Sequence, residues 1–141
     1  MKVFVDTWGW IALSDRAETR HEAVKQILQE RGSLRARVVT SDYVLDETFT
    51  LVFLRRPFQE AWRFARGIMM DAARETLRVE AVNLERFRGA LELRQRFADK
   101  PRISFTDLTS MAIMRDLQVE DILTADAHFQ QVGMGFRRLP A

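Results

Sequence analysis

The sequence predicts an α/β fold, with a mostly parallel sheet and helices on both faces. Three observations predict it. Short apolar runs of strand length alternate with longer spans of helical character along the whole chain. No internal repeat, low-complexity stretch or linker interrupts that alternation. The three prolines, Pro57, Pro101 and Pro140, fall where breaks between elements are plausible.

Taken in order, Val3–Val5 reads as a short buried strand, and Asp6 follows it at once. Glu18 to about Glu30 is polar and helical, and Gly32 ends it. Arg37–Thr40, with Val38-Val39 at its centre, is a second strand. Ser41 or Asp42 then caps an apolar helix running to about Leu54. Pro57 suits the first turn of the next helix, Phe58 to about Ala73. Leu77–Val82 is a third strand and Leu84–Phe97 a helix. Ser104–Leu117 is helical, Asp121–Ala125 holds the strand-like Ile122-Leu123-Thr124, and Gly135–Leu139 is a final edge strand.

A chain of 141 residues fits one domain, 1–141, around one core. No apolar run approaches the roughly 18–20 residues that span a bilayer. The N-terminus lacks the features of a signal peptide. The absence of cysteine excludes disulfides, thiolate metal sites and cysteine nucleophiles, and suits a cytoplasmic location. Net charge is only +2, but all 22 basic residues except Lys2, Lys25 and Lys100 are Arg. Arginine makes planar, two-pronged contacts with phosphate, so the bias is compatible with nucleic-acid binding; a GC-rich genome would produce it equally well.

In a parallel α/β sheet the active crevice lies at the carboxyl ends of the strands. Asp6 ends the first strand, where desolvating a carboxylate is costly, and its ordinary explanation is a helix cap or turn. Asp126 follows Ile122-Leu123-Thr124 and projects from the same edge if both strands are parallel; an N-cap is its ordinary explanation. Glu47, in "TSDYVLDETFTL", falls in an apolar arc and is expected to point inward, with Asp46 as the solvated acid. A buried salt bridge to an arginine would explain Glu47 without function. Asp107, in "ISFTDLTSMAIM", sits at the third helical position after Ser104, which suits capping. It also shares a face with Ser110, Met111 and Met114, and Thr106 before it offers a hydroxyl. Each acid has an ordinary explanation, but four of them converging on one strand edge would repel each other. Such a cluster is normally held by a cation, and an all-oxygen ligand set favours Mg²⁺ or Mn²⁺. His21 is expected to face solvent. His128 lies near Asp126 but is not counted as a ligand.

The segments "VFVDTW", "VVTSDYVLDETFTL", "ISFTDLTSMAIMRDL" and "DILTADAHF", in this order and spacing, resemble PIN-domain ribonucleases, most closely the VapC-type toxins of toxin–antitoxin pairs. The resemblance covers nearly the whole chain. It implies a three-layer α/β/α domain, Mg²⁺- or Mn²⁺-dependent phosphodiesterase activity on RNA, and a homodimer. Carried over by position, the family's invariant acids fall on Asp6, Glu47 and Asp107, its more variable fourth acid on Asp126, and its hydroxyl residue on Thr106. Thr7 matches a usual Thr or Ser. Asp6 and Asp107 would be the main direct ligands, with Glu47 and Asp126 acting through waters or placing the nucleophilic water. The partner implied is a small VapB-like antitoxin whose C-terminal segment covers the groove. Phe49, Phe53, Trp62 and Phe64 are expected mostly in the core, some in that groove or a dimer contact.

Other readings fit less well. A haloacid-dehalogenase-type phosphatase needs a second Asp where Trp8 stands. A receiver-like domain expects an acid beside Asp6 and a Lys late in the chain, but the last Lys is Lys100. A PIN nuclease of RNA processing, or a non-catalytic binding module, remains the alternative; the intact acid set speaks against the latter.

Overall fold

The computed structural model describes residues 1–32 and 37–141. Five strands, β1 (Val3–Val5), β2 (Val38–Ser41), β3 (Arg78–Glu80), β4 (Asp121–Leu123) and β5 (Arg137–Leu139), form one sheet in the order β3-β2-β1-β4-β5. All neighbouring pairs run parallel. Among the described residues seven helices connect them: α1 (Thr7–Ser14), α2 (His21–Gly32), α3 (Asp42–Arg55), α4 (Phe58–Ala73), α5 (Leu84–Arg96), α6 (Phe105–Leu117) and the single turn α7 (His128–Gln131). The chain steps from β1 to β2 to β3 in one direction and then crosses to β4 and β5 on the other side of β1. Right-handed crossovers therefore put α1–α4 on one face and α5–α7 on the other. The expected three-layer arrangement follows.

β1 is fully apolar because both faces of the sheet are covered: Val3, Phe4 and Val5 are wholly buried, as are Ile122 and Leu123 of the neighbouring β4. α6 contributes Leu108, Met111, Ile113 and Met114 to the same core and packs along α5. The helix caps are local and readable. Ser41 Oγ accepts from the Val44 N–H (3.1 Å), Asn83 Oδ1 from the Arg86 N–H (3.0 Å), and Ser104 Oγ from the Asp107 N–H (3.1 Å).

Two features hold α1 against the sheet beside Asp6. Gly9 sits so close to the strands that an added Cβ would lie 2.9 Å from Val5 Cγ1 and 3.1 Å from the Leu123 carbonyl oxygen. Trp10 Nε1–H donates to Thr40 Oγ1 (3.1 Å), which in turn donates to the Val5 carbonyl (2.9 Å), a buried chain linking α1, β2 and β1.

Three expectations need correction. α1 and α7 were not predicted as helices. His21 does not face solvent: it is buried at the start of α2, and its Nδ1 lies 2.8 Å from the Ala12 carbonyl, stapling α2 to α1. Of the four aromatics expected mostly in the core, Phe49 and Phe64 pack against it, whereas Trp62 is half exposed.

Candidate active site

β1 is the point where the strand order reverses, and the ends of β1 and β4 lie side by side, with Val5 paired to Leu123. A crevice outside the carboxyl ends of the strands is expected at such a switch point. There the structure brings Asp6, Glu47, Asp107 and Asp126 around one cleft of about 470 Å³, whose other walls include Trp8, Leu51 and Arg55.

Asp6 is 6% exposed. It occupies the position before α1, yet its side chain caps nothing. Instead Thr124 Oγ1 donates to Asp6 Oδ2 (2.8 Å), and the same hydroxyl accepts from the Asp126 N–H (3.1 Å). Burial pushes the Asp6 carboxyl up to about 6, with the charges of Glu47 and Asp126 adding to the rise; the bonds from Thr124 and the Thr7 backbone act against it. Thr7 Oγ1, also buried, has no hydrogen-bond partner among the described residues.

Asp107 lies in the first turn of α6. Its N–H is capped by Ser104, but its carboxylate makes no return bond among the described residues and lines the cleft. Burial, then the charges of Asp6 and Asp126, the hydrogen bond shared with Asp126, and Glu47 push it up to about 8. Asp126 Oδ1 accepts from the His128 N–H (2.8 Å), which is the ordinary turn role. His128 Nδ1 lies 2.9 Å from the same oxygen, out of line for a hydrogen bond. Ligand atoms of Asp107, Asp126 and His128 fall within 4.8 Å of one another. His128 thus lies beside two of the cleft's acids without lining the cleft itself, and its spacing two residues after Asp126 was the available signal.

Glu47 lines the cleft but is exposed rather than inward-pointing, and it has no ion pair among the described residues. The apolar arc it shares on α3 forms the cleft wall at Leu51, not a buried core. Thr106 does not line the cleft of the four acids; it lines an adjoining cavity that shares Glu47 and Leu51 with it. Thr124 was missed because it reads as a strand residue; only its position two residues before Asp126 hints at a bond spanning both acids.

A second buried aspartate shows what this cleft lacks. Asp121 begins β4, at the opposite end of the sheet, with its side chain fully buried. Arg31 Nη2 (3.0 Å) and Arg137 Nε (2.6 Å) hold it. Burial raises its carboxyl, but the two guanidinium groups outweigh this and leave it below the usual range. No arginine, lysine or histidine pairs with Asp6 or Asp107 among the described residues. The four carboxylates, the mutual repulsion of Asp6 with Asp107 and Asp126, and the unpartnered Thr7 hydroxyl fit a hard divalent cation, with the His128 ring nitrogen as a further donor beside Asp126.

Comparison with known proteins agrees with this geometry. The PIN domain family model matches residues 3–134. The chain is 33% identical over 131 residues to the 23S rRNA-specific endonuclease VapC20 of Mycobacterium tuberculosis, in strains CDC 1551 / Oshkosh and ATCC 25618 / H37Rv, covering 93% of this chain and 94% of that protein. The crystal structure of VapC20, a sarcin–ricin loop cleaving toxin, superposes with a TM-score of 0.79 at 31% identity, covering 94% of this chain and 95% of that one. With the acids at the switch point of a five-stranded parallel sheet, the chain belongs to the PIN-domain family, as a homologue of its VapC-type ribonuclease toxins.

Proposed function

We propose that this protein is a Mg²⁺- or Mn²⁺-dependent endoribonuclease acting in the cytoplasm as the toxin of a toxin–antitoxin pair. The observation that carries the reading is the convergence of Asp6, Glu47, Asp107 and Asp126 on one cleft without a compensating side-chain cation for Asp6 or Asp107. Asp6 and Asp107 would hold the cation directly, with Asp126 and Glu47 at the rim and His128 beside Asp126. When bound, the cation supplies neutralisation of the scissile phosphate and acidification of a water nucleophile. Thr124 fixes the rotamer of Asp6 and the turn carrying Asp126 at once. Glu47, exposed at the mouth, is placed to orient water and accept its proton. Thr106, one cavity further along, is placed to contact the flanking strand rather than the reacting phosphate.

The substrate is RNA, and the activity of the VapC20 relative makes the sarcin–ricin loop of 23S rRNA the first target to try. A VapB-like antitoxin and a second copy of the chain are the partners. Two exposed apolar stripes support such contacts: Leu54, Phe58 and Trp62, with Phe58 and Trp62 rings stacked at 6.2 Å, and Leu84, Phe87 and Leu91 along α5.

The test is incubation of the protein with intact ribosomes, total tRNA and mRNA in Mg²⁺, followed by mapping of new ends. One or a few cuts bearing 5′-phosphate and 3′-hydroxyl, absent with Asp107→Asn, are expected. No Mg²⁺-dependent cut in any RNA class would overturn the reading.

A further inference from the structure

The acid cleft opens into a run of adjoining cavities. It shares Ile11 and Arg55 with a smaller one of about 240 Å³ between α1 and the end of α3. That cavity shares Ser14, Asp15 and Arg56 with a third, of about 660 Å³, which reaches Arg16 and the first turns of α4 at Arg63. The three make one groove, and the charge along it inverts, from four carboxylates at one end to arginines at the other.

The arginines differ in availability. Arg56 is committed: its Nη2 lies 3.0 Å from Asp15 Oδ1. Arg16, Arg55 and Arg63 are exposed and have no ion pair among the described residues. Glu60 is the one acid besides Asp15 on the walls of the third cavity. A lone exposed arginine means nothing; three uncommitted ones on the groove that leads into an acid centre need a common explanation. On the far side of Glu47 the adjoining cavity carries Asp46 and, among the described residues, no basic one, so the groove is basic in one direction only. A polyanion gains nothing from the carboxylates themselves. Its affinity has to come from cations placed to either side of the reacting phosphate.

We infer that the substrate strand lies along this groove, with Arg55, Arg16 and Arg63 holding phosphates on one side of the scissile bond and Arg56 serving only to shape the wall. The inference rests on the ribonuclease reading above and adds the path and direction of the strand. Arg55, two turns beyond Glu47 on α3, is the contact nearest the reacting phosphate. Arg16 and Arg63 hold nucleotides further out.

The experiment measures binding separately from cleavage. A fluorescein-labelled single-stranded RNA of twelve or so nucleotides is titrated by anisotropy into Asp107→Asn protein in Mg²⁺, at several salt concentrations. Arg16→Ala/Arg63→Ala in that background should bind ~10-fold or more weakly, and the slope of log K against log salt should fall by about 1.4, two phosphates at about 0.7 each for a single strand. Arg16→Lys/Arg63→Lys should keep the slope, and Arg88→Ala, which lines none of these cavities, should leave both unchanged. Shortening the RNA to a dinucleotide should abolish the difference between the double alanine variant and its parent. Unchanged affinity and slope in the double alanine variant would overturn the inference and leave the basic end to a protein partner. A gel of the same samples reports separately whether Asp107→Asn silences cleavage, so failure of the acid centre and failure of the groove are told apart.

Discussion

Asp6→Asn should make the metal-free protein more stable while destroying its activity. In the fold the Asp6 carboxyl is pushed from 3.8 to about 6. Its ionised form is therefore about 3 kcal/mol less favourable in the folded protein than in the unfolded chain. Between pH 4 and 6 the folded state binds more protons at this site than the unfolded state, so wild-type stability falls as pH rises through that window. Asn carries no charge, keeps an oxygen for the Thr124 hydroxyl, and costs no capping bond, because Asp6 makes none. The advantage of the variant should be near zero below pH 4 and approach about 3 kcal/mol by pH 8, roughly 10 °C in Tm for a chain of this size. Mg²⁺ should close the gap: at about 100 times Kd it stabilises wild type by about 2.7 kcal/mol and the variant far less. The assay is urea or thermal unfolding from pH 4 to 8, in EDTA and in excess Mg²⁺. A variant less stable than wild type at pH 8 in EDTA would refute the claim that burial, with the neighbouring charges, strains the Asp6 carboxylate, and would return Asp6 to a structural role.

On the proposed mechanism Glu47→Gln and Asp107→Asn should each lower kcat/KM by on the order of 10²-fold or more, as expected for groups serving a metal-assisted step; steady-state cleavage of a labelled RNA measures it. Thr124→Val removes the bond that lowers the Asp6 pKa, so the acid limb of the pH–rate profile should move to higher pH, and Thr124→Ser should restore it. Gly9→Ala should cost about 1–3 kcal/mol by denaturant unfolding and reduce turnover, because its Cβ would force α1 away from Val5 and Leu123 beside Asp6.

Elements with a clean local signal were legible from sequence. Ser41 and Ser104 cap the helices they precede, and α4 spans Phe58–Ala73 as its pattern indicates. α1 was not legible because "TWGWIALS" carries no amphipathic period. It is packed between the sheet, α2 and α3, with Thr7, Gly9, Trp10 and Ala12 all buried. α7 is one turn, too short for any period. Within the site, the helical angle of Glu47 correctly placed it among apolar neighbours, but periodicity cannot tell a core from a cleft wall, and Leu51 belongs to the wall. His21 lies in a polar span, yet its ring reaches back nine residues to Ala12, a contact set by the α1–α2 turn. The meeting of Asp6 with Asp126 was legible because both follow strands. That these strands are neighbours depends on the crossover after α6, which no local pattern encodes.

The measurement that bears most directly on the whole account is Mn²⁺ binding by calorimetry, run beside RNA cleavage on the same preparations. Wild type should bind Mn²⁺ saturably and cleave RNA only in its presence, with EDTA abolishing cleavage and added Mg²⁺ or Mn²⁺ restoring it. Asp6→Asn and Asp107→Asn should lose binding and cleavage together. Undiminished cleavage in EDTA, or Mn²⁺ binding identical in wild type and both variants, would contradict the claim that these acids form one cation-holding catalytic centre.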